Sequence, residues 1–230
     1  MLNVKNCKLI KSIIVVGLLT IIACQQENQQ VPSVTVSVTA PGSYEQIVVE
    51  LEKMIRTEMT LKGLPSLSIS LVEDQDVVWS AGFGVENSQQ GTPATSSTIY
   101  RVGSVSKLFT DLAIMELVEQ GRVDLDVPIS TYISSFLPLN QHGGEITLRQ
   151  LMSHRSGLVR EPPVGHYFDD GEPSLAETVE SLNGTALVYA PEERIKYSNA
   201  AIAVVGYVLE ILGDREFADV LRESVLVPLG

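Results

Sequence analysis

One clear pair of β-strands stands against a long run of helical periodicity, and that imbalance most constrains what this chain can fold into. In "SLSISLVEDQDVVWSAGFG" the apolar residues alternate as Leu67, Ile69 and Leu71. The chain turns at Glu73 to Asp76 and resumes with Val77, Val78 and Trp79, which reads as a hairpin. Nearly everything after residue 100 is spaced for helices. Two strands do not make an independently stable sheet, so further strands are expected, either hidden in the sequence or beyond its last residue.

Before the hairpin, "SYEQIVVELEKMIRTEMTLKG" places Ile47, Leu51, Met54 and Ile55 at helical spacing. Ser43 is positioned to cap this helix, and Gly63 and Pro65 end it. After it, a loop rich in Ser, Thr and Gly leads to "IYRVGSVSKLFTDLAIMELVEQG". Leu108, Leu112, Met115, Leu117 and Val118 form an apolar stripe there, and Gly121 is the stop. "ITLRQLMSHRSGL" is a short capped helix running into a turn. "SLAETVESLNG", "AIAVVGYVLEILG" and "DREFADVLRESVLVPLG" are three more helices. The fold class is α+β, a sheet with one helix followed by a helical region.

The N-terminus reads as an address. Lys5, Lys8 and Lys11 precede an apolar run of eleven residues, Ile13 to Ala23, with no acid before it. A membrane span needs roughly 20 apolar residues, so residues 1–23 are expected to be a signal peptide. The run ends directly at Cys24, which has the form of a lipobox and predicts a lipidated N-terminus. Residues 24–42, polar and free of Lys and Arg, are expected to tether the membrane to a domain at 43–230. The protein is thus expected to be an exported bacterial lipoprotein, membrane-anchored and facing the periplasm. The other cysteine, Cys7, lies in the discarded segment, which excludes a disulfide framework and a cysteine metal site. The formal net charge of −12 argues against nucleic-acid binding, which requires clustered cations.

Two constellations carry chemistry. Ser104 and Lys107 are three apart at the mouth of a helix, so one turn brings them to one face. A serine hydroxyl attacks only when a base takes its proton, and a lysine serves when its charged form is disfavoured. The helix N-terminus disfavours that charge and offers free N–H groups to an oxyanion. The competing reading is a capping serine beside a solvated lysine. The second constellation is "KYSN", with Tyr197 and Asn199 on a turn before an apolar helix. A phenol beside a cation can relay a proton, and the Asn amide can hold a carbonyl or an N–H. His154, in "LMSHRSGL", reads as a structural turn residue. His166, Tyr167, Asp169 and Asp170 read as a loop lining a cleft rather than a metal cluster.

In this order, "IYRVGSVSKLFT", "GRVDLDVPISTYI", "ITLRQLMSHRSGL" and "KYSNAAIAVVGYVLE" resemble the class C β-lactamase-like serine hydrolases, over roughly Leu64 to Gly230. That family also contains penicillin-binding DD-peptidases, D-aminopeptidases and esterases, and S-x-x-K is its nucleophile motif. The resemblance implies the β-lactamase/DD-peptidase-like fold, with an antiparallel sheet, an all-helical region and a cleft between them. It implies Ser104 as the acylated nucleophile, Lys107 as its base partner, Tyr197 as proton relay and Asn199 as substrate contact, with no metal and no cofactor. The partner is a small acyl substrate: an ester, an amide or a lactam. A generalist esterase or peptidase is expected first. A β-lactamase, or a penicillin-binding receptor that acylates without turnover, is the alternative. The family's third motif, a Lys- or His-led triplet ending in Gly, does not follow Tyr197. The "HGG" at His142 precedes it and does not qualify. The sequence is therefore expected to be an incomplete polypeptide, poorly folded and inactive by itself.

Overall fold

A computed structural model describes residues 33–230. The expected signal peptide at 1–23, Cys24 and the first part of the expected 24–42 tether lie outside the described residues. The chain divides into two compact units, residues 1–100 and residues 101–230.

In the first unit the described residues form strands β1 (Val34–Val38), β2 (Ser66–Glu73), β3 (Asp76–Asn87) and β4 (Thr92–Pro93), with helix α1 (Glu45–Lys62). β3 is the centre. It pairs antiparallel with β2 on one side and β1 on the other, and its end pairs with β4. The hairpin turns at Asp74 and Gln75, both left-handed at φ 46° and 76°. Two consecutive positive φ values match the right-handed twist of the flanking strands. Leu67, Ile69 and Leu71 sit opposite Phe83, Ala81 and Trp79. Together with Ile55 and Met59 of α1 they make the core of this unit.

Three expectations need correcting here. The tether at 24–42 is partly a strand: Val34 pairs with Phe83 and Val38 with Ser80. The alternation "VTVSV" is itself a strand pattern, obscured by the low charge and polarity around it. Ser43 does not cap α1, whose N-cap is Tyr44 with no side-chain bond. On α1 the buried residues are Ile55 and Met59, one turn apart, while Ile47 and Met54 are exposed.

The second unit is helical: α2 (Ser106–Glu119), α3 (Leu148–Met152), α4 (Leu175–Ser181), α5 (Asn199–Gly213), α6 (Phe217–Leu221) and α7 (Val227–Leu229). Helix α5 is its axis, burying Ala200, Ala201, Val204, Val205, Val208 and Leu209. A helix apolar on so many sides belongs inside. The face of α2 that packs is Thr110, Ala113 and Ile114, with Phe109, Leu117 and Val118 partly buried. The Leu108, Leu112 and Met115 part of the expected stripe is exposed instead. Capping boxes start α3 (Thr147 with Gln150) and α4 (Ser174 with Glu177), each satisfying two orphan donors. The last expected helix is broken by a π-helical stretch at Arg222–Leu226. Pro228 follows it and has no N–H to return to the preceding turn.

Gly157 ends the turn after α3 at φ 76°, and its carbonyl accepts from Val188 N at 2.8 Å. A Cβ there would stand 2.1 Å from the Tyr189 carbonyl oxygen. Gly157→Ala therefore combines left-handed strain with a backbone clash, and a loss of about 2–4 kcal/mol is expected in urea denaturation. An unchanged midpoint would show that the 157 and 189 segments part freely.

Candidate active site

The nucleophile candidate sits where a left-handed Gly103, φ 54°, turns the chain into a single 3₁₀ turn, Gly103–Val105, that leads into α2. Ser104 is therefore just ahead of the helix. It does not cap it: the N-cap of α2 is Val105, with no side-chain bond. The Ser104 hydroxyl is instead 2.6 Å from the Tyr197 hydroxyl, and the Lys107 ammonium donates to it at 3.2 Å. The capping-serine reading is thereby excluded. Residues 93 apart in sequence meet at hydrogen-bond distance, all from the helical unit.

Tyr197 is delivered by a segment stitched to its neighbours through the backbone. Lys196 N donates to the His154 carbonyl at 2.8 Å, and Ser198 N reaches His154 Nδ1 at 3.4 Å. The Ser198 hydroxyl donates to Val159 O at 2.6 Å and accepts from Ala201 N at 2.9 Å, so it caps α5. The phenol then projects from the N-terminal end of a rigid helix. Hydrogen bonds from Lys107 and with Ser104, and the charges of Lys107 and Arg160, hold the Tyr197 phenol below its ordinary value.

His154 is in contact with this group rather than remote from it. At φ 59° it is left-handed, and its ring lies 4.5 Å from that of Tyr197, tilted by 47°. Burial, then the charge of Lys107, lowers its pKa, which favours the neutral imidazole. Its turn position is as expected, and it supports the tyrosine from that turn.

Asn199 is the first residue of α5. Its backbone N–H donates to Arg160 O at 2.7 Å, and its side-chain Nδ2 donates to Glu161 Oε1 at 2.7 Å. A carboxylate only accepts, so it fixes which end of the amide faces it. Arg160 reaches back over the same cluster: its guanidinium carbon is 5.2 Å from the Tyr197 ring centroid and its Nε 3.3 Å from Glu161. The Lys107 ammonium is 4.9 Å from that centroid. The loop beyond is held by Asp169, which accepts from Gly165 N and Gly171 N, while His166 Nδ1 accepts from Phe168 N. Asp169 and His166 thus serve the loop's own backbone.

Arg160, Glu161 and Asp111 were not singled out by the sequence. Arg160 and Glu161 lie in a loop with no motif of their own, and only the fold sets them beside Tyr197. Asp111 did carry a signal, an acid four residues after Lys107 on the same helix. It is half-buried and its Oδ1 has no hydrogen-bond partner.

The chain was compared with known proteins. The family model described as Beta-lactamase matches residues 51–230. Beta-lactamase-like protein 2 of Dictyostelium discoideum is 31% identical over 194 residues, covering 79% of this chain and 34% of that protein. Among solved structures, the octameric penicillin-binding protein homologue from Pyrococcus abyssi is 31% identical with a TM-score of 0.69, covering 80% of this chain and 43% of that one. EstCE1, a hydrolase with promiscuous acyltransferase activity, is 24% identical with a TM-score of 0.72, covering 82% and 53%; at that identity it shows the fold alone. The chain thus spans about a third of the length of the curated relatives it matches.

Burial pushes the Asp111 carboxyl up to about 6, against the opposing pull of Lys107. A raised carboxyl pKa means that the folded state binds a proton more tightly than the unfolded chain does. Stability from this group is therefore full below the usual carboxylate range and falls as pH rises towards 6. Asp111→Asn, which removes the charge and keeps the shape, is expected to raise Tm at pH 8 but not at pH 4. Equal Tm differences at the two pH values would contradict this assignment.

Proposed function

The chain belongs to the beta-lactamase family, and from that premise we propose that it is a serine acyl-hydrolase working through an acyl-enzyme on Ser104. The observation that carries the reading is the three-way contact of Ser104, Tyr197 and Lys107, at 2.6 and 3.2 Å.

The steps follow from that geometry. The Ser104 oxygen attacks the substrate carbonyl carbon while its proton passes to the Tyr197 oxygen, which is within direct transfer distance. For Tyr197 to accept, its phenol must be partly ionised, and the Lys107 ammonium supplies the stabilising charge. The tetrahedral intermediate collapses with loss of the alcohol or amine, which takes the proton back from Tyr197. Water then enters by the same route, gives its proton to Tyr197 and cleaves the ester on Ser104, regenerating the hydroxyl. Asn199, held by Glu161, is the proposed substrate contact. No step calls for a metal or cofactor.

Small esters and amides are the proposed substrates, the generalist esterase or peptidase reading. Among the structural relatives are a D-amino acid amidase from Ochrobactrum anthropi and the penicillin-binding protein homologue. Their range is why the proposal stays at acyl transfer, since one fold hosts several acyl chemistries. Export and a lipid anchor on Cys24 remain part of the proposal, supported by the apolar run that ends at that cysteine.

The test is made on the protein expressed from its complete reading frame, with p-nitrophenyl butyrate and a fluorescent penicillin as probes. Steady release of p-nitrophenol, abolished by Ser104→Ala and lowered roughly 10²-fold or more by Tyr197→Phe, is expected. A stable penicillin adduct on Ser104 without product release would replace the hydrolase by a receptor. Hydrolysis that survives Ser104→Ala would remove the site assignment altogether.

A further inference from the structure

We propose that Arg160, braced by Glu161, is a positioning residue that holds and polarises the Tyr197 phenol for its proton exchange with Ser104. The proposal rests on the reading of Tyr197 as the proton relay, and it adds a second cation that no motif in the sequence announces.

Two features place Arg160 there. Its carbonyl accepts from Asn199 N at 2.7 Å and Ala200 N at 3.2 Å, the exposed donors at the start of α5. Its main chain is therefore tied to the element that begins two residues after Tyr197. Its guanidinium carbon then lies 5.2 Å from the Tyr197 ring centroid, close to the 4.9 Å of the Lys107 ammonium. A cation at that range of an aromatic ring is attracted to it and favours a negative phenol oxygen.

The other groups around the phenol leave this role open. Ser104 and Lys107 approach from the turn before α2 and its first residues; the Ser104 hydroxyl shares a hydrogen bond with the phenol oxygen and Lys107 donates to the Ser104 oxygen. His154, from the turn after α3, presents a ring whose charged form is disfavoured. Asn199, on α5 itself, is neutral. Asp111 lies one turn beyond Lys107, and its Oδ1 has no hydrogen-bond partner. A guanidinium keeps its charge at every accessible pH. Arg160 thus supplies a constant positive field. Glu161 sets the size of that field, because its carboxylate sits 3.3 Å from Arg160 Nε while it also holds Asn199 Nδ2 at 2.7 Å.

The role predicts opposite signs for neighbouring substitutions. In the full-length protein, Tyr197 ionisation is read as the ultraviolet difference between each variant and the same variant carrying Tyr197→Phe. The pH dependence of Ser104 acylation by p-nitrophenyl acetate is followed in parallel. Arg160→Gln is expected to move both transitions to higher pH by roughly half a unit, the scale of one charge at about 5 Å in a water-like medium. Arg160→Lys is expected to restore them. Glu161→Gln keeps an acceptor for Asn199 but removes the opposing charge, so it is expected to move them to lower pH. Both shifts should shrink in 1 M salt, because the side chain of Arg160 is 64% exposed.

An unmoved Tyr197 transition in Arg160→Gln would overturn the proposal. So would a Glu161→Gln shift in the same direction as that of Arg160→Gln, since a merely structural brace has no sign. Hydrolysis that survives Ser104→Ala would defeat the acyl-enzyme reading instead, and the spectroscopic shifts would still report on Arg160.

Discussion

The hydroxyl of Ser198 is the joint on which this site depends. It is 1% exposed, donates to Val159 O and accepts from Ala201 N. One oxygen thus starts the central helix α5 and pins the 159–161 loop to it. Tyr197 precedes that joint and Asn199 follows it, so the two side chains diverge from a fixed point. The loop returns the favour through the Arg160 carbonyl and the Glu161 carboxylate. Precision of a few tenths of an ångström between Tyr197 and Ser104 needs such a buried anchor, because proton transfer falls off sharply with distance.

How much of this was legible in the sequence follows from how local each feature is. The Ser104–Lys107 pair is a matter of three residues and one helical turn, so spacing put the two on one face and left the capping-serine reading open. The hairpin at Glu73 to Asp76 and the capped start of α3 are local in the same sense. Tyr197 is different. Nothing in its own segment marks it as a neighbour of Ser104, and only the resemblance of four ordered segments brought the two together. Arg160 and Glu161 were invisible because they lie in a loop with no repeating pattern and their partners Tyr197, Asn199 and Ala200 are 37 to 40 residues further along. The strand β1 was missed for another reason: a short Val/Thr/Ser alternation between polar stretches has too few residues to outweigh its surroundings.

Burial of particular helix faces was also beyond reach of periodicity. On α2 the larger apolar residues Leu108, Leu112 and Met115 suggested the inward face, yet Thr110, Ala113 and Ile114 pack inward. Two of those three are small, and Ala113 and Ile114 share one core with Val204, Val205 and Val208 of α5. Hydrophobic scale reports what a residue prefers; volume decides what fits between two helix axes.

The charge distribution carries the last step. A chain of net charge −12 concentrates two cations, Lys107 and Arg160, within about 5 Å of one phenol ring. Against that background the local field at Tyr197 cannot be a property of the whole surface; it is set by the few groups in contact. One of the two cations donates to the Ser104 hydroxyl and the other is paired with Glu161. Both favour a negative charge on the phenol oxygen. The separation of duties gives Glu161 its importance. Among the described residues it is the one acid in direct contact with both Arg160 and Asn199, so a single carboxylate links the cation over the Tyr197 ring to the Asn199 amide. A change in that carboxylate therefore reaches the Arg160 guanidinium and the Asn199 amide together, while either partner can be altered alone.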